Sequence, residues 1–277
     1  MPPAYGLCVC DRSPLDAPGS VSLNRHRQIN RTHVRYNVWV TTERRYAELH
    51  AHSAFTFLDG TDEPARMVEE AARLGLDALA ILDVDGMYST VQTTMAAREA
   101  GLPIVYGAEL TLASNACGTF VPGSSAPGWG LASGADEPGI RLPILAASPS
   151  GYANLVGAMS KRALSAPGER NPRYSLVDLS EAGGDLIVLT GGRRGPLMRA
   201  LRAGGALSAR RVLDVLVDAF GRDHVLVEWQ GARGDEDEVG EVLAELARAS
   251  GTRLVATSGA RLSSPSKQAP GDSLAAN

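Results

Sequence analysis

A chain of 277 residues, 44% apolar and 21% charged, can build one large α/β domain or two small ones around a substantial core. The net charge of −4 argues against a dedicated duplex-binding surface and leaves DNA open only as a transient substrate, met by local basic patches such as Arg193-Arg194 and Arg210-Arg211. Three cysteines (Cys8, Cys10, Cys117) make no disulfide framework, no stretch approaches the ~20 apolar residues of a membrane helix, and the N-terminus lacks a secretion signal, so a cytoplasmic location without membrane attachment is expected.

Residues 1–43 mix Pro, Arg, Asn and Ser without a sustained period and predict a loosely ordered extension. Residues 44–263 then alternate short apolar runs with amphipathic stretches. A strand over Tyr46–His50 is followed by a helix that starts near Thr61-Asp62. Its first turn holds Pro64, its apolar face Met67, Val68, Ala71 and Leu74, and Gly75 stops it. A second strand, Ala78–Leu82, precedes a helix capped by Ser89 that runs to Ala100, with Gly101 as its end. The third strand contains Ile104-Val105-Tyr106 and continues through Leu112. Residues 114–140, rich in Gly, Ser, Ala and Pro, read as a long loop.

Leu142–Ala147 is the fourth strand, before a helix near Tyr152–Leu164, and Leu186–Thr190 is the fifth, before helices near Pro196–Ala203 and Ser208–Phe220. Val225–Glu228 is the sixth, before a helix over Glu236–Ala249, and Leu254–Thr257 is the seventh. Residues 264–277 read as a disordered tail. Seven strands alternating with helices predict a parallel sheet, open or closed into a barrel. In both, function gathers at the C-terminal strand ends.

Those ends carry the candidates. His50 and His52 follow the first strand; positions two apart on a strand share a face, so both imidazoles can serve one metal ion or two adjacent ions. Asp59, on a turn closed by Gly60, can bring a carboxylate to the same place. After strand two, Asp83 and Asp85 offer metal ligands or caps for the turn that follows. After strand three, Glu109 is a carboxylate ligand or a solvated edge residue. Gly191-Gly192-Arg193-Arg194 is a phosphate cradle or a solvated turn. His26 and His33 lie in the N-terminal extension, and His224 sits at the wrong end of its strand. No GxSxG, Walker or GxGxxG fingerprint is present.

The segment Tyr46-Ala-Glu-Leu-His-Ala-His-Ser-Ala-Phe-Thr-Phe-Leu-Asp-Gly60 resembles the opening of the PHP (polymerase and histidinol phosphatase) domain, and most of all that of bacterial error-prone C-family polymerases related to the DNA polymerase III alpha subunit. Glu69–Leu76, Ala78–Tyr88, Val105–Leu110, Gly151–Leu155, Pro172–Tyr174, Leu189–Gly195 and Val255–Ala260 continue the likeness in order, over roughly residues 46–265. The resemblance implies a distorted (β/α)7 barrel, divalent metal (zinc, manganese or iron) and phosphoester hydrolysis, in some polymerases as a 3′–5′ exonuclease. Carried over by position, it makes His50, His52, Asp59 and Glu109 the metal ligands.

The departures matter equally. The family's Asp-His-Asp-Gly is Asp83-Val84-Asp85-Gly86 here, Gly192 stands where a cysteine is common, no histidine follows the sixth strand at Trp229-Gln230-Gly231, and Arg261 replaces a final histidine, with Gly259 nearby. The resemblance therefore implies a PHP module of a polymerase for DNA replication, repair and translesion synthesis, ending before a palm. Its metal site would be incomplete, for zinc or manganese at most, and its role structural or one of interaction with a polymerase or with replication and repair proteins. The alternatives are a stand-alone metal-dependent phosphoesterase or 3′–5′ exonuclease and, further off, a histidinol-phosphatase-like enzyme.

Overall fold

The computed structural model describes residues 45–57, 59–113, 139–165, 167, 172–231 and 236–263. The extension 1–43 with its cysteines and histidines, nearly all of the expected 114–140 loop and the tail 264–277 lie outside the described residues. Two strands, β1 (Ala47–Ala51) and β2 (Ala78–Ile81), pair in parallel as a small sheet. Five more form a second sheet in chain order: β3 (Gly107–Leu112), β4 (Ile140–Ala146), β5 (Leu186–Leu189), β6 (Val225–Gln230) and β7 (Arg253–Thr257). The helices are α1 (Pro64–Arg73), α2 (Thr90–Ala100), α3 (Pro149–Ser165), α4 (Leu176–Glu181), α5 (Pro196–Phe220) and α6 (Glu236–Ser250).

The molecule is a mixed α/β fold, and the expectation of an all-parallel sheet is corrected. β5, β6 and β7 run parallel, but β4 is antiparallel to both β3 and β5. A parallel return needs a crossover, usually a helix, and the Gly/Ser/Pro-rich sequence between β3 and β4 has no helical period. Nor do the strands close into one ladder: among the described residues β2 meets β3 through isolated bridges, Leu79 with Ile104 and Val84 with Glu109. Ile104, expected inside the third strand, makes only that bridge before β3 starts at Gly107.

Local chemistry explains the helices. Pro64 takes the first position of α1, where its missing N–H costs no helical bond, and Met67, Val68 and Ala71 are buried on one face. Ser89 precedes α2 but does not cap it with its side chain; its backbone N–H donates to Asp83 instead, at 3.0 Å. Gly101 ends α2 in the left-handed region at φ 67°. The pair Gly204-Gly205 breaks α5 into the two helices expected there. The short helix α4, which the sequence reading lacked, starts at Ser175, whose hydroxyl accepts from the N–H of Asp178 at 3.0 Å.

Strand alternation sorts the core into layers. Ala108, Leu110, Leu142, Ile144, Val188, Val225 and Val227 pack against Leu155, Leu179, Leu197, Leu213 and Leu243 of the helices. Ala51, Leu79 and Ile81 pack against Met67, Val68 and Ala71 of α1 and Ala97 of α2. A third layer, Leu49, Ala80, Leu82, Leu145, Leu189, Leu226 and Val255, draws on both sheets. With a period of two, Glu109, Arg141, Glu228 and Thr257 fall on the sheet face that bears this third layer, and they form its polar continuation.

Candidate metal centre

The site starts from an irregularity in β1. Glu48 pairs with Leu79 and Ala51 with Ile81, so three steps along β1 match two along β2. Leu49 and Ala51, which would share a face on a regular strand, consequently enter different core layers. The extra residue turns His50 inward, toward His52 just past the strand. Both histidines are buried, with ring centroids 5.1 Å apart.

Glu109, buried on β3, completes a cluster with them, and one ligand atom from each of the three lies within 4.8 Å of the others. His50 Nε2 is 3.3 Å from one Glu109 oxygen, and His52 Nε2 is 3.8 Å from the other. His50 Nε2 and His52 Nδ1 are buried without a hydrogen-bond partner among the described residues. Buried polar atoms are normally satisfied, and two imidazoles with one carboxylate are the usual donors for a divalent transition ion. The three residues therefore fit a single ion.

Behind them lies a second row. His50 Nδ1 is 2.7 Å from Glu228, whose carboxylate also accepts from Gln230 Nε2 at 3.1 Å and at short range from the Thr257 hydroxyl. This carboxylate–imidazole pair leaves Nε2 of His50 facing Glu109, the arrangement that orients metal-ligating histidines. Burial disfavours the imidazolium of His50, but the charges of Glu228 and Glu109 outweigh it and push its pKa up to about 10. For His52 burial wins and lowers the pKa to about 4. Burial also opposes ionisation of Glu109, yet His50, His52 and Arg141 bring it down to about 2. Glu48, also buried, accepts from the backbone N–H groups of His50 and Ser258, each at 2.8 Å.

The other expected residues have other partners. Asp83 accepts from the hydroxyls of Ser53 (2.7 Å) and Thr56 (3.1 Å) and from the N–H of Ser89, which fixes the loop after His52. Asp85, in the left-handed region at φ 54°, binds the N–H and hydroxyl of Thr111 at 2.7 and 2.6 Å. Both carboxylates thus serve turns. Val84 pairs its backbone with Glu109, and a side chain at Gly192 would meet Gln230 Oε1 at 1.8 Å. His224 donates its Nδ1–H to the Leu186 carbonyl oxygen at 2.9 Å, away from the cluster, as its strand position implied.

Asp59 stands outside the three-residue group. It is bound by Arg261 (2.6 Å), Arg141 (2.9 Å) and Arg194 (3.2 Å). Burial would raise its pKa, but these arginines and His52 hold its carboxyl below the usual range. The sequence reading missed Glu48 and Arg141. Glu48 looks like a polar position on an ordinary alternating strand. Arg141 lies at the N-terminal end of β4, which only the reversed direction of that strand brings to the site.

The PHP domain family matches residues 48–232. Error-prone DNA polymerase of Mycolicibacterium paratuberculosis is 43% identical over 80% of this chain and 19% of its own length. The Mycobacterium tuberculosis protein of the same name is 40% identical over 91% of this chain and 22% of its own. The chain thus spans about a fifth of the length of these relatives. Among solved structures, an amidohydrolase from Chromobacterium violaceum superimposes with a TM-score of 0.47 at 16% identity, over 78% of this chain and 87% of that one. That family match over residues 48–232, more than half of the chain, assigns this chain to the PHP domain family.

Proposed function

We propose that this chain is a PHP module of the error-prone DNA polymerase type, working in the cytoplasm with replication and repair proteins. In this reading it holds one divalent ion, zinc or manganese, on His50, His52 and Glu109. Its role is structural or one of interaction, rather than independent hydrolysis. The similarity to error-prone polymerases over most of the chain supports the lineage. We read the seven strands as an incompletely closed, distorted (β/α)7 barrel with β4 reversed, a reading supported by the apolar layer that both sheets share.

The observation that carries the site is the buried cluster in which His50 Nε2 lies 3.3 Å and His52 Nε2 3.8 Å from the two oxygens of Glu109. A divalent ion there supplies Lewis-acid charge close to any bound phosphoryl group. His50 would bind through Nε2 while Nδ1–H donates to Glu228, and Glu109 would supply an oxygen. Hydrolysis with bridged ions asks for further free carboxylates, whereas Asp83 and Asp85 are held by turns and Asp59 by arginines. Metal analysis of the purified full chain tests the reading. About one zinc or manganese per chain is expected, and its loss in His50→Ala, His52→Ala and Glu109→Ala. Protein without metal, or variants that keep it, would refute the site; phosphodiester turnover in Mn²⁺ that His50→Ala abolishes would favour the phosphoesterase alternative.

A further inference from the structure

Asp59 lies on the loop between β1 and α1, while its three arginines come from elsewhere: Arg141 from β4, Arg194 from the turn after β5, and Arg261 from the turn after β7. Among the described residues the two sheets share no continuous ladder. Next to β7, backbone bonds stitch them, from His52 N–H to the Ala260 carbonyl (2.8 Å) and from Thr61 N–H to the Arg261 carbonyl (3.2 Å). Asp59 adds what those bonds cannot, a link from the β1 loop across to β4 and the end of β5. Asp59 and Arg141 are only 11% and 16% exposed, so that charge-assisted bond is screened less than a surface pair, while Arg194 and Arg261, at 45% and 43%, reach Asp59 from the solvent side.

The same geometry bears on the metal. Arg141 also reaches Glu109 at 3.3 Å, so three guanidinium groups border the His50–His52–Glu109 cluster with Asp59 as their common counter-charge. A second cation seeking Asp59 would have to displace arginines that arrive from three strands and then sit among their charges. At the distances involved that repulsion is substantial in a partly buried site.

We propose that Asp59, Arg141, Arg194 and Arg261 form a metal-independent clamp that joins the two sheets at the site end and, by engaging Asp59, limits the site to one divalent ion. The limit on ions rests on the one-ion reading above; the clamp does not. The test is a double-mutant cycle on the full chain in EDTA, with Asp59→Asn, Arg261→Gln and the pair, read by thermal unfolding. Each single change is expected to lower Tm by roughly 3–5 °C, and the double change little more than Asp59→Asn alone. Should Asp59→Asn fail to fold, Arg194→Gln with Arg261→Gln provides the milder series.

Metal titration forms the second arm. The native chain is expected to take one zinc or manganese, and Arg194→Gln/Arg261→Gln to bind it about tenfold more tightly as the neighbouring positive charge falls. Additive Tm losses, or losses that vanish in EDTA, would overturn the clamp. Two ions in the native chain, or an affinity indifferent to the arginines, would overturn the limit on ions. A native chain without metal would instead reject the one-ion reading, and the thermal cycle would still decide the clamp.

Discussion

His50 and His52 are two residues apart and equally buried, yet they titrate in opposite directions because only His50 has a carboxylate on each side. The pKa of His52 is lowered to about 4 from 6.5, so the unfolded chain binds the extra proton between those values, and stability is lost as pH falls through that window. That of His50 is raised to about 10, so its contribution is complete below 6.5 and lost as pH rises toward 10. Metal-free protein is therefore expected to be most stable near pH 6.5, and His52→Gln to flatten the acidic side of a Tm–pH profile; an unchanged acidic limb in that variant would contradict the assignment. Glu228→Gln removes the charge that orients His50, and its metal affinity is expected to fall about 10- to 100-fold in a competition titration. Equal affinity in that variant would show that Glu228 does not act through His50.

At the scale of elements, Ser53, Thr56 and Gly60 after β1 are held by several contacts. Asp83 ties Ser53 and Thr56, and Gly60 closes the loop so near Ser53 that a methyl group would meet its carbonyl oxygen at 2.0 Å. Backbone cannot yield as a flexible side chain does, so Gly60→Ala is expected to cost about 2–3 kcal/mol in chemical denaturation and to loosen the Asp59 contacts with it. A variant as stable as the native chain would show that the loop can shift freely. Glu109 was expected at the end of the third strand, whereas it lies inside β3, on the face that strand alternation turns toward His50 and His52. Arg141 was not expected, since the rule of C-terminal ends holds for parallel strands and β4 runs the other way. The nearness of His50 to His52 was legible for an incomplete reason: two-residue alternation put both histidines on one face, whereas the irregular register of β1 produces the inward turn.

At the scale of the whole molecule, large apolar side chains are exposed on and beside α2. On α2, Val91 and Met95 are 70% and 60% exposed and lie one turn apart, with Tyr88 exposed just before them. Val91→Glu with Met95→Lys is expected to raise solubility while changing stability by no more than about 0.5 kcal/mol, as measured by sedimentation and denaturation. A large loss of stability would mean that these side chains pack in the native fold. The seven strands of the described residues and every helix but α4 followed in order from apolar periodicity and from proline and glycine punctuation, and the two histidines disclosed the lineage, because these signals are local and a few adjacent residues contain them. Tertiary structure alone decided the direction of β4, the partnership of His50 with Glu228, and the gathering of three arginines on Asp59. Each joins residues far apart in the chain, and whether a charge there serves a metal, a turn or another charge depends on the groups that folding brings within a few ångströms of it.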